Sequence, residues 1–474
     1  MSIPVTDHDL ATRQIHAGTH DQVVQRTLTV PIYQTAAFEF PDYEAARQMF
    51  AQTRAGFTYT RTGNPTVAVL EQRISDLEGG AGAVATGSGQ SAVAVALLAL
   101  LGQGAGKHLV ASEKLYGGTV DLLTDSFADY GIEVSFVDPT APGAWAAAVR
   151  PDTRAFLLES IGNPLATLPD LPGIADVART AGVPVVVDNT LASPALYRPL
   201  EKGADIVVHS ATKFLGGHGT TLGGIVVESG RFDWANGNFP SMTEPVPTYN
   251  DVTWWGNFGE YGFLTRLRTE QLRDIGPALA PQSAWNLLQG VETLPQRMDA
   301  HLANARAVAR WLEEDPRVSY VNWAGLPSHP HHERARRYLP LGPGSVFAFG
   351  VSPTERLGGR EVGARFIENL QLASHLANIG DARTLVLHPA STTHQQLSAE
   401  QLVGAGVRED LIRLSVGLED VEDILWDLDQ ALTAATGLPR ETPGRAAGAP
   451  AGATADDTAA ADADADVTTE GALR

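Results

Sequence analysis

The sequence predicts an α/β protein: a large domain with a mostly parallel sheet covered by helices, then a smaller α+β C-terminal domain. Three observations lead there. Short, unbroken apolar runs of strand length recur between residues 65 and 230, with helix-like stretches between them. Runs that are apolar along their whole length suit strands buried on both faces, the condition of a parallel sheet. From Ser283 onward the pattern changes to a long helical segment, then strands and amphipathic helices.

Taken in order, PTVAVLEQRISDLEGG (65–80) places Val69, Leu70, Ile74 and Leu77 at helical spacing and stops on glycine. AGAVATG and KHLVAS are strand candidates flanking the helix-like QSAVAVALLALLG. EVSFVD, TRAFLLE, VPVVVD and ADIVVH are further strands, with the helix-like LPGIADVARTAG between two of them. Past residue 283, NLLQGVETLPQRMDAHLANARAVARWLEE reads as one long helical segment, and VSYVNWA, SVFAFGV and LIRLSVG as strands. The expected division is therefore 65–282 for the large domain and 283–438 for the C-terminal domain. The last stretch, 439–474, is mostly Ala, Gly, Thr, Pro and Asp, including Asp456, Asp457, Asp462, Asp464 and Asp466. It holds too little apolar area to offset its ordering entropy, so a disordered acidic tail is expected.

The totals narrow the function. A chain of 474 residues with 43% hydrophobic and 19% charged residues reads as a soluble globular protein. Its formal net charge of −21 disfavours nucleic acid and anionic membrane as partners. No stretch approaches the length of a membrane span, and the opening residues lack an apolar signal core, so the expected location is the cytoplasm. The absence of cysteine excludes disulfides, thiolate metal sites and a cysteine nucleophile. The run SHPHHE brings together His329, His331, His332 and Glu333, but its proline-containing loop context favours a solvated loop, and no metal is expected.

Three strand ends carry polar groups that ordinary packing does not require. VPVVVD ends in Asp188, ADIVVH leads to Ser210, Thr212 and Lys213, and TRAFLLE leads to Asn163. Ligands of parallel sheets bind beyond the carboxyl ends of the strands, so these groups converge if the sheet is parallel. Alone, Asp188 would be explained as a helix cap or salt bridge and Lys213 as a loop lysine. Together they match the needs of pyridoxal phosphate: a lysine to bind it covalently, an acid for its pyridine nitrogen, and hydroxyls and helix-end amides for its phosphate. Gly87, Ser88 and Gly89 open a helix after a strand, which presents bare N–H groups to an anion. The same stretch fits the dinucleotide pattern G-x-G-x-x-A over Gly87 to Ala92, with Glu113 about 21 residues on. A nicotinamide-dinucleotide enzyme is thus the rival reading, although it gives Lys213 and Asp188 no role. Tyr116, in a strand-to-helix loop, could stack on a pyridine ring, and Tyr59 with Arg61 could grip a phosphate.

The motifs YTRTGNPT, SGQSA, LYGGT, VVVDNT, HSATKFLGGHG, HPASTTH and LIRLSVGLED, in that order, resemble the Cys/Met-metabolism family of pyridoxal-phosphate enzymes, of fold type I, over about residues 10–437. Within it, SHLANIGDARTLVLHPASTTH, GNFPSMTEPVPTYND and VTWWGNFGEYGFLTRLR are most similar to the O-acetylhomoserine sulfhydrylase branch. Gly118 stands where the methionine γ-lyase branch has cysteine, which argues against that branch. The resemblance implies that Lys213 holds the cofactor and then serves as acid and base, Asp188 pairs with the pyridine nitrogen, and Tyr116 stacks on the ring. It implies Ser88, Gly89, Gln90, Ser210 and Thr212 around the phosphate, Arg413 on the substrate α-carboxylate, and Asn163 and Asn378 assisting. Tyr59 and Arg61, on an N-terminal arm (1–64), would reach a neighbouring subunit of a homotetramer built from dimers that share active sites. The implied activity is γ-replacement on O-acetyl-L-homoserine by sulfide or a small thiol. Cystathionine γ-synthase, γ-lyase and O-succinylhomoserine sulfhydrylase are the alternatives.

Overall fold

The computed structural model describes residues 8–18, 27–101, 106–393, 395 and 406–440. The expected acidic tail from residue 441 onward lies outside them. The large sheet has seven strands: β1 (Gly82–Thr86), β2 (His108–Ser112), β3 (Glu133–Val137), β4 (Thr153–Glu159), β5 (Val185–Asp188), β6 (Ile206–Ser210) and β7 (Gly224–Glu228). Their spatial order is β1-β7-β6-β5-β4-β2-β3. β7 runs antiparallel to both β1 and β6, and the remaining pairs are parallel.

The unbroken apolar runs have a simple cause. Phe156, Leu158, Val185, Val187 and Val207 enter one buried layer, under helices Pro65–Glu78 and Leu171–Ala181. Their neighbours Ala155, Leu157, Val186, Ile206 and Val208 enter the other, under helix Gly89–Leu101. Side chains alternate across a strand, so covering both faces demands apolar residues at every position. Helix Pro65–Glu78 is bounded as its sequence requires. Asn64 accepts the Thr66 N–H at its start, and Gly79 takes the left-handed conformation at its end (φ 76°).

Two elements depart from the sequence reading. The long helical segment divides into helices Pro281–Val291 and Leu294–Glu313. Pro295 has no N–H to continue the ladder and its ring would crowd the carbonyl four residues back, so the chain restarts there. β7 lies within the glycine-rich run after Lys213, where it went unread; it is the antiparallel member of the sheet.

A second sheet has the order β10-β11-β12-β9-β8, with β8 (Val318–Asn322), β9 (Val346–Val351), β10 (Ser374–His375), β11 (Leu385–Leu387) and β12 (Leu411–Ser415). Phe347, Phe349, Ile412 and Leu414 pack with Val362 and Phe366 of helix Gly359–Glu368 and Leu428 of helix Val421–Thr436. Asp427 of the latter accepts the N–H groups of Gln371, Leu372 and Ala373 at 2.7, 3.0 and 2.8 Å, anchoring the chain that enters β10.

Gly224 is a tight point where β7 begins. It stands in register between Thr86 of β1 and Ser210 of β6, and a Cβ there would lie 2.0 Å from the Ser88 carbonyl oxygen. A backbone atom cannot swing aside as a side chain can. Gly224→Ala is expected to destabilise the protein by about 2–3 kcal/mol, in the upper range for overpacking, read as a lower urea midpoint at unchanged slope.

Candidate active site

β1 and β6 both run against β7, so β1 points the same way as β4, β5 and β6. Their carboxyl ends open on a cavity of about 320 Å³. Its lining includes Ser88, Gly89, Gln90, Tyr116, Asn163, Asp188, Ser210, Thr212, Lys213, Asn378 and Arg413. The cavity thus brings together eleven of the residues singled out in the sequence. Tyr59 and Arg61 lie elsewhere: Arg61 donates to the Arg273 carbonyl at 2.8 Å, with its guanidinium carbon 5.5 Å from the Tyr59 ring centre.

One end of the cavity is built for an anion. Ser88 and Ser91 exchange hydrogen bonds at the start of helix Gly89–Leu101: the Ser91 N–H donates to Ser88 Oγ at 3.1 Å, and the Ser88 N–H to Ser91 Oγ at 3.0 Å. The amides of Gly89 and Gln90 belong to the first turn, which a helix's own ladder leaves unsatisfied, and both residues line the cavity. Position 89 must be glycine, because a Cβ would come within 2.7 Å of the Ser210 Cα. That closeness sets the helix start against Ser210 and Thr212. Thr212 Oγ1 accepts the Gly223 N–H at 3.1 Å, while Thr190 Oγ1 accepts the Ser210 N–H at 2.8 Å.

At the other end two acids stand side by side, Glu159 and Asp188, paired in register on β4 and β5. Thr190 donates its N–H to Asp188 Oδ1 at 3.0 Å. Burial pushes the Asp188 carboxyl up from its ordinary range, offset by the bonds from Thr190 and by nearby His209. Burial, and then the charge of Asp188, push Glu159 well above the ordinary carboxylate range. Sequence reasoning missed Glu159. The signal was present, since it ends the apolar run TRAFLLE just as Asp188 ends VPVVVD.

Lys213 follows β6 and donates from Nζ to Asn378 Oδ1. Arg413, in β12 of the second sheet, donates from Nη2 to the Asn378 carbonyl at 3.0 Å. Burial lowers the Lys213 ammonium from its usual range, and Arg413 adds to the effect. Burial lowers Arg413 to about 10, so the guanidinium stays charged at neutral pH. The loop under the lysine is held from below. Arg297 donates to the carbonyls of Phe214 at 2.8 Å, Leu215 at 3.2 Å and Gly290 at 2.7 Å.

These groups fit pyridoxal phosphate. The Asn163 Oδ1 and Glu159 Oε2 atoms of the lining are buried without a partner, and the donor set pairs an amine and an acid with unsatisfied helix amides. The dinucleotide reading loses its frame: β1 pairs with antiparallel β7 at the end of the sheet, whereas a dinucleotide fold places its first strand among parallel neighbours. Glu113 pairs with Lys114 at 3.1 Å. The histidines of SHPHHE are occupied locally: His331 Nδ1 accepts the Leu168 N–H at 2.9 Å, and His329 Nδ1 accepts the His331 N–H at 3.1 Å. Among the described residues no group of three or more His, Cys, Asp or Glu could hold a metal.

The lowered Lys213 amine gives a test on the cofactor-free protein. The chain has four lysines, Lys107, Lys114, Lys202 and Lys213. A lowered midpoint means that the neutral, reactive amine emerges at lower pH. Competitive labelling with limiting acetic anhydride from about pH 7 to about pH 10 should therefore give Lys213 the lowest midpoint. Arg413→Gln should raise that midpoint, because it removes the neighbouring positive charge. Peptide mass spectrometry reads both results.

The relatives of the chain agree with this geometry. The family model described as Cys/Met metabolism PLP-dependent enzyme matches residues 11–433. An O-acetyl-L-homoserine sulfhydrylase from Leptospira meyeri is 46% identical, covering 89% of this chain and 96% of its own. A homocysteine synthase from Schizosaccharomyces pombe is 44% identical, covering 91% and 100%. Among solved structures, a putative O-acetylhomoserine (thiol)-lyase from Campylobacter jejuni, which carries N'-pyridoxyl-lysine-5'-monophosphate, aligns with a TM-score of 0.85 at 34% identity, over 90% of this chain and 100% of that one. A lysine, an acid, a helix N-terminus and an arginine around one cavity, with a family match over nearly all the described chain, establish that this protein belongs to the Cys/Met-metabolism family of PLP-dependent enzymes.

Proposed function

We propose that this protein catalyses γ-replacement, in which O-acetyl-L-homoserine and sulfide give L-homocysteine and acetate. The observation that carries the reading is a single cavity walled by both sheets, with Lys213 and Asp188 from one and Arg413 from the other. When bound, the cofactor supplies an electron sink for the carbanion formed at the substrate Cα. Lys213 would hold it covalently, Asp188 would keep the pyridine nitrogen protonated, and Tyr116 would lie on the ring. Ser88, Gly89, Gln90, Ser210 and Thr212 would take the phosphate, and Arg413 the α-carboxylate, with Asn163 and Asn378 assisting.

The residues divide the work by position. Arg413 orients the substrate so that the Lys213 amine faces the Cα proton, and the lowered affinity of that amine for protons suits it to act as a base near neutrality. The same amine reaches Cβ for the second proton, since its stem is long and flexible. At Cγ the C–O bond to acetate breaks and a C–S bond to sulfide forms, so carbon keeps its valence and acetate carries away the electron pair. The lining also favours small, singly charged reactants. Lys213 and Arg413 are its cationic side chains, the first engaged with the cofactor and then the proton transfers, the second with the α-carboxylate. A succinyl ester, or cysteine in place of sulfide, would bring a further carboxylate without a partner.

The reading includes a cytoplasmic homotetramer of dimers with shared sites. Its support is the place of Tyr59 and Arg61, which are exposed and outside this chain's own cavity. Among the described residues no helix is long and apolar enough to cross a membrane. The arm (1–64) would carry the pair to a neighbour, with 65–282 and 283–438 as the two domains of each subunit.

Purified protein is expected to be yellow, and Lys213→Ala to abolish the visible band and lower turnover by about 10³-fold or more. Arg413→Lys, which loses the bidentate fork, should raise KM for the amino-acid substrate by roughly 10–100-fold. O-acetylhomoserine, O-succinylhomoserine and O-acetylserine, each supplied with sulfide and separately with cysteine, settle the subgroup. Preferred turnover with cysteine would reject the assignment.

A further inference from the structure

The cavity holds a second acid to which the reading above gives no task. Glu159 Oε1 accepts the Tyr116 N–H at 2.5 Å, and the Asn163 backbone stands close enough to favour the charged form of this carboxyl. Tyr116 heads the loop after β2, and Asn163 lies in the loop after β4. One carboxyl group at the end of β4 therefore holds the loop that follows the neighbouring strand β2. Its other oxygen, Oε2, is sealed from solvent and unpartnered.

We propose that Glu159 is a positioning residue: its carboxyl group fastens the backbone of Tyr116 to the end of β4, fixing the aromatic ring at the cavity wall that Asp188 shares. Two ionised carboxylates in register on neighbouring strands, both away from water, repel each other strongly. Asp188 has the better claim to the charge. It accepts the Thr190 N–H and has His209 nearby. Tyr116, Lys213 and Arg413 are the other titratable groups of the wall, and Glu78, the next acid, is engaged by His209 Nε2 and the Asn189 amide. Glu159 then keeps its proton on Oε2, while its carbonyl-like Oε1 still accepts from Tyr116. Burial and the Asp188 charge act in the same direction. The result leaves one negative charge at the cavity wall, where the pyridine nitrogen of the cofactor requires it. That last consequence rests on the cofactor reading; the fastening of the loop does not.

Glu159→Gln keeps a neutral acceptor of the same shape, whereas Glu159→Ala removes it. In cofactor-free protein, amide exchange of the peptide containing Tyr116 should match the unmodified protein in Glu159→Gln and be about ten-fold faster or more in Glu159→Ala. The infrared difference between the unmodified protein and Glu159→Gln should show the loss of one buried carboxylic-acid carbonyl stretch, distinct from that of Glu228, whose pKa burial raises to about 8, and Asp188→Asn should keep it. In the holoenzyme, kcat/KM should stay within about three-fold for Glu159→Gln and fall roughly 10–100-fold for Glu159→Ala. Unchanged exchange in Glu159→Ala, or Glu159→Gln falling as far as Glu159→Ala, would overturn the proposal. If the unmodified protein takes up no pyridoxal phosphate at Lys213, the cofactor reading fails, yet the exchange and infrared results still decide the role of Glu159.

Discussion

Beneath the cavity, Glu78 is fully buried and reaches the ends of two strands at once. Its Oε1 lies 2.6 Å from His209 Nε2 and accepts the Asn189 amide at 2.9 Å. Each partner adjoins a cavity residue: Asn189 follows Asp188, and His209 precedes Ser210. Successive residues of extended chain face opposite ways, so holding 189 and 209 toward the helix turns 188 and 210 toward the cavity. Removing Glu78 would leave His209 and Asn189 each short of a buried partner, at a cost of about 1–3 kcal/mol for each unsatisfied group. The geometry of the acid and of the anion end both depend on this carboxylate.

The same helix reaches outward. Asn64, at its start, donates to the Tyr33 carbonyl at 2.8 Å, and Thr66 Oγ1 donates to the Pro31 carbonyl at 2.7 Å. Helix Pro65–Glu78 is therefore a strut, with the N-terminal segment tied to one end and the strand ends of the site to the other. Between them, Arg73 is buried against Glu292 at 3.1 Å, which joins the strut to the chain between the two helices that follow residue 280.

Much of this was legible in the sequence, for reasons that can be stated residue by residue. A strand covered on both faces must be apolar throughout, so β4, β5 and β6 announced themselves, and a polar residue at the end of such a run had to face something other than core. That logic found Asp188 and Lys213 and, applied evenly, would have found Glu159. β7 was hidden because its GIVVE run emerges directly from the glycines after Lys213, with no turn signal to separate it. Arg297 could not be read at all. In sequence it is one of several arginines along a helix with Arg306 and Arg310, and only the fold brings it under the carbonyls of Phe214 and Leu215. Tyr59 and Arg61 were legible as a motif, and the use proposed for them lies on a neighbouring subunit.

The two sheets divide the site electrically as well as spatially. The large sheet supplies the acids, the helix amides and Lys213, and the second sheet supplies Arg413. Asn378 joins them, accepting from Lys213 with its side chain and from Arg413 with its backbone. This bridge lets two cations stand close without an intervening carboxylate, and their mutual repulsion, added to burial, holds the lysine amine toward its neutral form. On the proposed reading, a substrate carboxylate at Arg413 would cancel much of that repulsion. The amine, once free, would then bind a proton more readily than it does in the cofactor-free protein, so a base disposed to be neutral gains affinity for the proton when there is one to take.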